Sequence, residues 1–340
     1  LNLVTGATGL LGSHVVLKLL QQGKAVVAAK QEKSNTERVR KVFSYYVSNA
    51  DELFARIKWV NIDVRDHFSI EDALDGIKAV YHCAGFVSFQ NKDHEKLKQI
   101  NEVGTANIVN ACLEKNIEVL CLASSIATIN NNDYLGQLSE KVFWKTSGKE
   151  SSYAISKYNA EREVWRGIEE GLNAVIVNPG VILAPGFWDQ SSGKLFDFCR
   201  KGNLFYTDGS TGYVTATDVA EVMVQLVDKK LYNERFIVNE GMYSYKTVFT
   251  LIQNEFDKQA PKIKSSKFLL HSGRIADGLL SRLTGKDRIL TKDIINSALG
   301  HKDFSNQKIK NTLSFEFTPI PQAIKFIAGC LKKDLEKSKN

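Results

Sequence analysis

The chain has 340 residues, 43% hydrophobic and 24% charged. These are the proportions of a globular protein of roughly two domains, and they exclude a disordered chain, a collagen-like fibre and a disulfide scaffold. The net charge is +7. Residues 1–180 hold 21 basic and 21 acidic groups and residues 258–340 hold 17 and 7, so the excess sits in the C-terminal quarter as a solvated basic face, with an anionic ligand or a membrane surface as the alternative.

The first predicted strand, 1–5, runs directly into a glycine turn, which leaves no room for a secretory leader and points to a cytoplasmic location. That turn reads Thr5-Gly6-Ala7-Thr8-Gly9-Leu10-Leu11-Gly12, and a helix with Val15, Val16, Leu19 and Leu20 on one face follows it as far as Gly23. Glycines in this spacing, Gly6, Gly9 and Gly12, let the backbone turn tightly and approach a pyrophosphate, which rests on the helix amides and the positive end of the helix dipole. After the second strand, 25–29, an acidic side chain would bond the ribose hydroxyls of NAD and a basic one the 2′-phosphate of NADP. Lys30 stands first there, with Lys33 and Arg38 behind it, and favours NADP(H); Glu32 keeps NAD(H) as the alternative.

Further strands are expected at 59–64, 79–84, 118–124 and 174–178, with helical spacing between them, as in Ile100, Val103, Ile108 and Val109. Strand and helix in alternation predict a Rossmann-type α/β fold, a doubly wound parallel sheet covered on both faces. Beyond Pro179 the elements shorten and glycines multiply. A helix is expected from Asp218, capped by that side chain, and another over 245–256, with a charged tail at 332–340 that frays. The expected organisation is a dinucleotide-binding domain over 1–180, to which 214–240 return, and a smaller C-terminal substrate lobe from 181–213 and 241–335.

Tyr153 and Lys157 form the YxxxK pair of the chain. One such pair is expected by chance, so its placement carries the argument. The two residues share a helix face, and they follow Ser124-Ser125, the end of a strand at the carboxyl edge of the sheet, where open parallel sheets bind ligands. The five cysteines form no CxxC pair and the six histidines no HExxH, so reduced, mostly buried thiols and no metal site are expected. No apolar run reaches the ~18 residues of a membrane span, so a soluble chain is expected.

On these motifs the sequence resembles the extended short-chain dehydrogenase/reductase superfamily, the NAD-dependent epimerase/dehydratase group, from the glycine turn to the segment 313–319. Leu122 to Asn130 is similar to the serine strand of dihydroflavonol reductases and 3β-hydroxysteroid dehydrogenases, and Asn178 to Gly186 to their proline-glycine segment, which contains Pro179. The resemblance implies catalytic roles for Ser125, Tyr153 and Lys157, and places the superfamily's helix asparagine on Asn101. It also implies that Thr8, Leu10 and Leu11 offer amides to the pyrophosphate, that Asp63 and Val64 edge the adenine, and that Cys83, Ala84 and Gly85 pass the cofactor, together with Pro179, Tyr153 and Lys157. The departure is Ala84-Gly85, where many relatives carry two alanines.

The implied activity is NADP(H)-dependent oxidoreduction, reducing a carbonyl or oxidising the alcohol by hydride transfer. Ser125 would hold the substrate oxygen, and Lys157 would bring the phenol of Tyr153 down toward the working range. A cofactor-retaining nucleotide-sugar epimerase and a non-catalytic dinucleotide sensor are the alternatives. A dehydratase is disfavoured because Ser125 is followed by Ile126, Ala127 and Thr128 rather than acidic residues. The aromatics Phe86, Phe89, Trp144, Phe187, Trp188, Phe196, Phe205, Tyr206 and Tyr213, at least half of them packing, suit a mainly apolar small-molecule carbonyl or alcohol. The stretch 268–280 reads as a lid helix, with shallow membrane contact as the alternative. No nucleic acid and no stable membrane insertion are expected, and a homodimer is compatible with the sequence.

Overall fold

A computed structural model describes residues 1–130, 136–285, 287–288 and 290–337. Its strands are β1 (Asn2–Thr5), β2 (Val26–Lys30), β3 (Lys58–Asn61), β4 (Ala79–His82), β5 (Val119–Ala123), β6 (Ala174–Pro179), β7 (Val181–Leu183), β8 (Phe205–Tyr206), β9 (Ser210–Thr215), β10 (Glu234–Val238), β11 (Gly241–Ser244) and β12 (Ile263–Lys264). Seven make one parallel sheet in the order β10-β6-β5-β4-β1-β2-β3. The doubly wound α/β architecture read from the sequence is therefore the observed one. β11-β9-β7 and the β12-β8 pair form two smaller sheets.

The central strands are apolar in both directions because both faces are covered. Val4, Ala28, Tyr81, Cys121, Val175 and Val177 face one core with the helices Leu10–Gln21 and Ala216–Asp228. Leu3, Val27, Val80, Leu120, Leu122 and Ile176 face the other with the helices Gly104–Glu114 and Ser152–Glu169. A third cluster, built from Phe196, Tyr213, Ile252, Ile320 and Ile324, lies beside the β11-β9-β7 sheet. All five cysteines are free thiols, and four are buried.

One helix start differs from the expectation. The helix near Asp218 begins at Ala216, and Thr215 caps it, its hydroxyl accepting from the Asp218 amide at 3.0 Å. Asp218 instead accepts from the amide and hydroxyl of Thr318, both at 2.9 Å, and so ties the helix to the C-terminal segment. A threonine in extended conformation three residues upstream has the right geometry for the cap. The tail is helical through Lys337, within the helix Ile320–Lys337; residues 338–340 lie outside the described residues.

Candidate active site

The glycine turn packs as closely as its composition permits. Gly6 has φ +64°, and a Cβ there would stand 2.6 Å from the Ala84 nitrogen; a Cβ on Gly12 would stand 2.1 Å from the Gly6 oxygen. The Gly9 amide donates to the Gly6 carbonyl at 2.9 Å. The helix that follows has no capping side chain and no acidic residue in its first turn. Its leading amides, at Leu10 and Leu11, therefore have no partner within the helix, the state in which helix N-termini can receive an anion.

Behind this turn runs a buried polar relay. Thr5 Oγ1 bonds His82 Nδ1 at 2.6 Å, His82 Nε2 bonds Thr105 Oγ1 at 3.2 Å, and Thr105 Oγ1 donates to the Asn101 carbonyl at 2.6 Å. Thr5 Oγ1 also accepts from the Ala84 amide at 3.2 Å, which fixes the 83–85 loop against the turn. Asn101 lies in a π-helical segment, Lys98–Val103, between two α-helical stretches, and such bulges often mark functional sites. Its amide accepts from the Phe86 amide at 2.7 Å and donates to the Phe86 carbonyl and to Ser156 Oγ, both at 2.9 Å. Asn101 thus clamps the 84–86 loop to the helix that carries Tyr153.

Burial holds His82 down to about 3 and His14, enclosed between the Leu10 carbonyl and the Tyr46 hydroxyl, down to about 4. Both rings are neutral in the folded chain, while in the unfolded chain they protonate near 6.5. Their stabilisation is complete above about pH 6.5 and is lost as pH falls from there through the folded values. At pH 5 each ring should cost the fold about 2 kcal/mol relative to pH 8. Denaturant midpoints measured across that range should fall. A midpoint unchanged in the His14→Gln, His82→Gln double variant relative to wild type at both pH values would refute the attribution.

At the carboxyl edge of β5 the chain turns through Ser124 and Ser125. Ser125 is extended, and its hydroxyl accepts from the Ala127 amide at 3.1 Å. Across from it the helix Ser152–Glu169 starts on the Ser151 cap, which puts Tyr153 in the first turn and Lys157 one turn later. Burial pushes the Tyr153 phenol above its usual value, and the neighbouring Ser125 side chain opposes the push. Lys157 is 5% exposed and donates to the Ala123 carbonyl at 2.7 Å. Burial lowers it to about 8, against an upward pull from Glu161. The ammonium of Lys157 is anchored on β5, and desolvation dominates at the phenol.

The structure brings Ser125, Tyr153 and Lys157 together, with Gly85 beside Asn101 and Lys157; a Cβ on Gly85 would stand 3.4 Å from Asn101 Oδ1 and 3.8 Å from Lys157 Nζ. Cys83 sits at the same loop, its thiol pushed up to about 12 by burial. Pro179 ends β6, buried and in register with Val238. Lys30 and Asp63 are not part of this cluster. Lys30 ends β2, three strand spacings or ~14 Å from β5. Asp63 follows β3 and pairs with Arg65, whose Nε lies 2.9 Å from Oδ1. Val64 is buried under Gly104. These positions follow one another along the carboxyl edge of the sheet, from Lys30 past the glycine turn to Tyr153.

Of the aromatics, Phe187, Phe196 and Tyr213 are at most 1% exposed and belong to the core. Phe89 meets Tyr153 edge-on at 5.9 Å and so flanks the candidate site, whereas Trp144 stacks on Tyr158 at 4.4 Å. Lys96 lies 4.2 Å over the Phe86 ring.

Sequence reasoning missed Glu161. It is 1% exposed, and its Oε1 accepts from Ser124 at 2.5 Å, Thr128 at 2.7 Å and Asn178 at 2.5 Å, while Arg235 on β10 stands 3.6 Å from Oε2. One carboxylate therefore joins the Ser125 turn, β6, β10 and the Tyr153 helix. The signal was present: Tyr153, Lys157 and Glu161 recur at i, i+4 and i+8 on one face.

The family profile described as NAD dependent epimerase/dehydratase family matches residues 2–239. Sterol demethylase protein B of Methylococcus capsulatus is 30% identical over 243 residues, 70% of this chain and 69% of that protein. A putative dihydroflavonol 4-reductase of Synechocystis is 30% identical over 223 residues, 64% of this chain and 60% of that protein. The crystal structure of gox2253 superposes with a TM-score of 0.80 over 98% of both chains at 24% identity, a likeness of fold.

Proposed function

The chain belongs to the NAD dependent epimerase/dehydratase family, and from that premise we propose that it is an NADP(H)-dependent oxidoreductase acting on the carbonyl, or the corresponding alcohol, of a mainly apolar small molecule. The observation that carries this reading is the meeting of the Ser125 and Tyr153 side chains beside buried Lys157 at the carboxyl edge of the sheet. Relatives named as reductases support it, as does the absence of acidic residues directly after Ser125. Among the described residues no helix is long and apolar enough to cross a membrane.

The glycine cradle fits a dinucleotide, since a Cβ at Gly6 or Gly12 would collide with backbone and the following helix starts uncapped. The amides of Thr8, Leu10 and Leu11 would hold the pyrophosphate, with the 83–85 loop, Asp63 and Val64 along its length and Tyr153, Lys157 and Pro179 at the nicotinamide end. When bound, that cofactor supplies or accepts the hydride. Ser125 then donates a hydrogen bond to the substrate oxygen. Tyr153, kept protonated at neutral pH by its burial, gives its proton to the same oxygen as negative charge develops there. The ammonium of Lys157 stabilises the phenolate left behind, and it does so below about pH 8, where it is charged.

The preference for NADP(H) rests on Lys30. Arg38, expected to add to the positive potential, is instead committed to Asp189 at 3.2 Å and lies 5.3 Å over the Phe187 ring. An ammonium against a 2′-phosphate makes a charge-assisted hydrogen bond of about 1.5–3 kcal/mol, a preference of roughly ten- to a hundredfold. Calorimetry should show NADPH binding more tightly than NADH, and Lys30→Ala narrowing the gap chiefly by weakening NADPH. A panel of aldehydes, ketones and alcohols, followed by nicotinamide absorbance, then tests the activity. Tight co-purification of NAD, or NADH binding that is the stronger and is lost on Glu32→Ala, would instead favour an epimerase that recycles its cofactor.

A further inference from the structure

The helix Lys267–Thr284 leaves one side of its length uncovered. Phe268 is 82% exposed, Leu283 85%, Ile275 64%, Leu280 59% and Leu269 45%. At 3.6 residues per turn these five fall within one arc of about 140°. Lys267, His271, Arg274 and Arg282 occupy the adjoining stripe, beside Phe268 and Ile275. Among the described residues no carboxylate pairs with exposed Lys267 and Arg282 or with half-buried Arg274, whose Nε is buried without a hydrogen-bond partner. The remaining side faces the protein: Leu270 is buried, and Asp277 accepts from the Leu290 amide at 3.0 Å.

A broad apolar arc bordered by unpaired cations, on a helix that does not qualify as a membrane span, has the geometry of a helix lying in the plane of an anionic bilayer surface. The wider charge agrees, since residues 258–340 carry 17 basic and 7 acidic groups. A second copy of the chain would fit less well, because it would bring the same unpaired cations to the rim of the contact. We propose that the Lys267–Thr284 helix docks this protein on anionic lipid membranes, with Phe268, Ile275 and Leu283 entering the acyl boundary and Lys267, Arg274 and Arg282 meeting headgroup phosphates.

The docked helix stands next to the candidate site. Past its end, Asp287 pairs with Lys92, and the Arg288 carbonyl accepts from Gln90 at 2.6 Å. These partners belong to the loop whose Phe89 touches Tyr153. On the proposed reading of an apolar substrate, the membrane would then be the phase from which that substrate enters; the docking itself does not depend on that reading.

The test is flotation of the purified chain with phosphatidylcholine vesicles, with and without phosphatidylglycerol. The wild type should float with the phosphatidylglycerol vesicles, less so at high salt. A Phe268→Ser, Ile275→Ser, Leu283→Ser variant should bind at least about tenfold more weakly, with an unchanged melting temperature and unchanged NADPH affinity. Arg274→Ser, Arg282→Ser should erase the preference for anionic vesicles. Tyr153→Phe should float like wild type, which separates this test from that of the activity. The proposal is overturned if the wild type ignores anionic vesicles, or binds both vesicle types alike. It is equally overturned if light scattering shows a dimer that the triple serine variant dissolves, which would assign the face to a second copy.

Discussion

Tyr153→Phe should lower turnover by about a thousandfold or more, the scale of a lost general acid, while NADPH affinity stays nearly unchanged. The ring keeps its edge contact with Phe89, so packing survives and only the hydroxyl is removed. Lys157→Ala should damage both turnover and cofactor binding, because the ammonium is buried, anchored on the Ala123 carbonyl and placed where we propose that the nicotinamide end lies. Steady-state rates on whichever carbonyl the screen identifies, paired with calorimetry on the same preparations, separate the two effects. A phenylalanine variant that kept most of its activity would remove Tyr153 from the mechanism.

Glu161→Ala should destabilise the fold by about 3–5 kcal/mol, the range for breaking a buried charge pair from one side. The substitution strands the Ser124 and Thr128 hydroxyls and the Asn178 amide, and leaves Arg235 without its carboxylate. Arg235 retains bonds to the Glu140 carbonyl at 3.0 and 2.7 Å, so β10 stays docked and the loss concentrates on the Ser125 turn. Glu161→Gln tests the charge with the shape preserved. Because the carboxylate raises Lys157, the amide should move the alkaline limb of the pH–rate profile for reduction to lower pH. A glutamine variant that matched wild type in both thermal melting and pH profile would show that Glu161 does neither job.

The central strands were legible because burial on both faces of a parallel sheet writes itself as short β-branched runs, and 26–30 and 79–82 fell within two residues of their expected bounds. The glycine turn was legible for a steric reason: no side chain fits at Gly6 or Gly12, so spacing and geometry carry the same information. What stayed hidden depends on partners distant in sequence. Asp218 looks like a cap until Thr318, 100 residues on, is seen to take both of its oxygens. Glu161 looks like a solvated helix charge until the donors on the Ser125 turn and β6 surround it. The aromatics could not be sorted by type alone, since Phe187 and Phe89 differ only in what packs around them.

The sheet order also bears on how the chain comes off the ribosome. β6 is bounded on one side by β5, which precedes it, and on the other by β10, whose last residue is Val238. Between synthesis of Pro179 and Val238, translation at 5–20 residues per second takes ~3–12 s. During that interval the outer edge of β6, with Val175 and Val177 beside it, has no hydrogen-bonding neighbour. An open apolar edge is a template for pairing with another nascent chain. Slowing elongation over the stretch of translation between the emergence of β6 and that of β10 from the ribosome would therefore lengthen the exposure and raise the aggregated fraction.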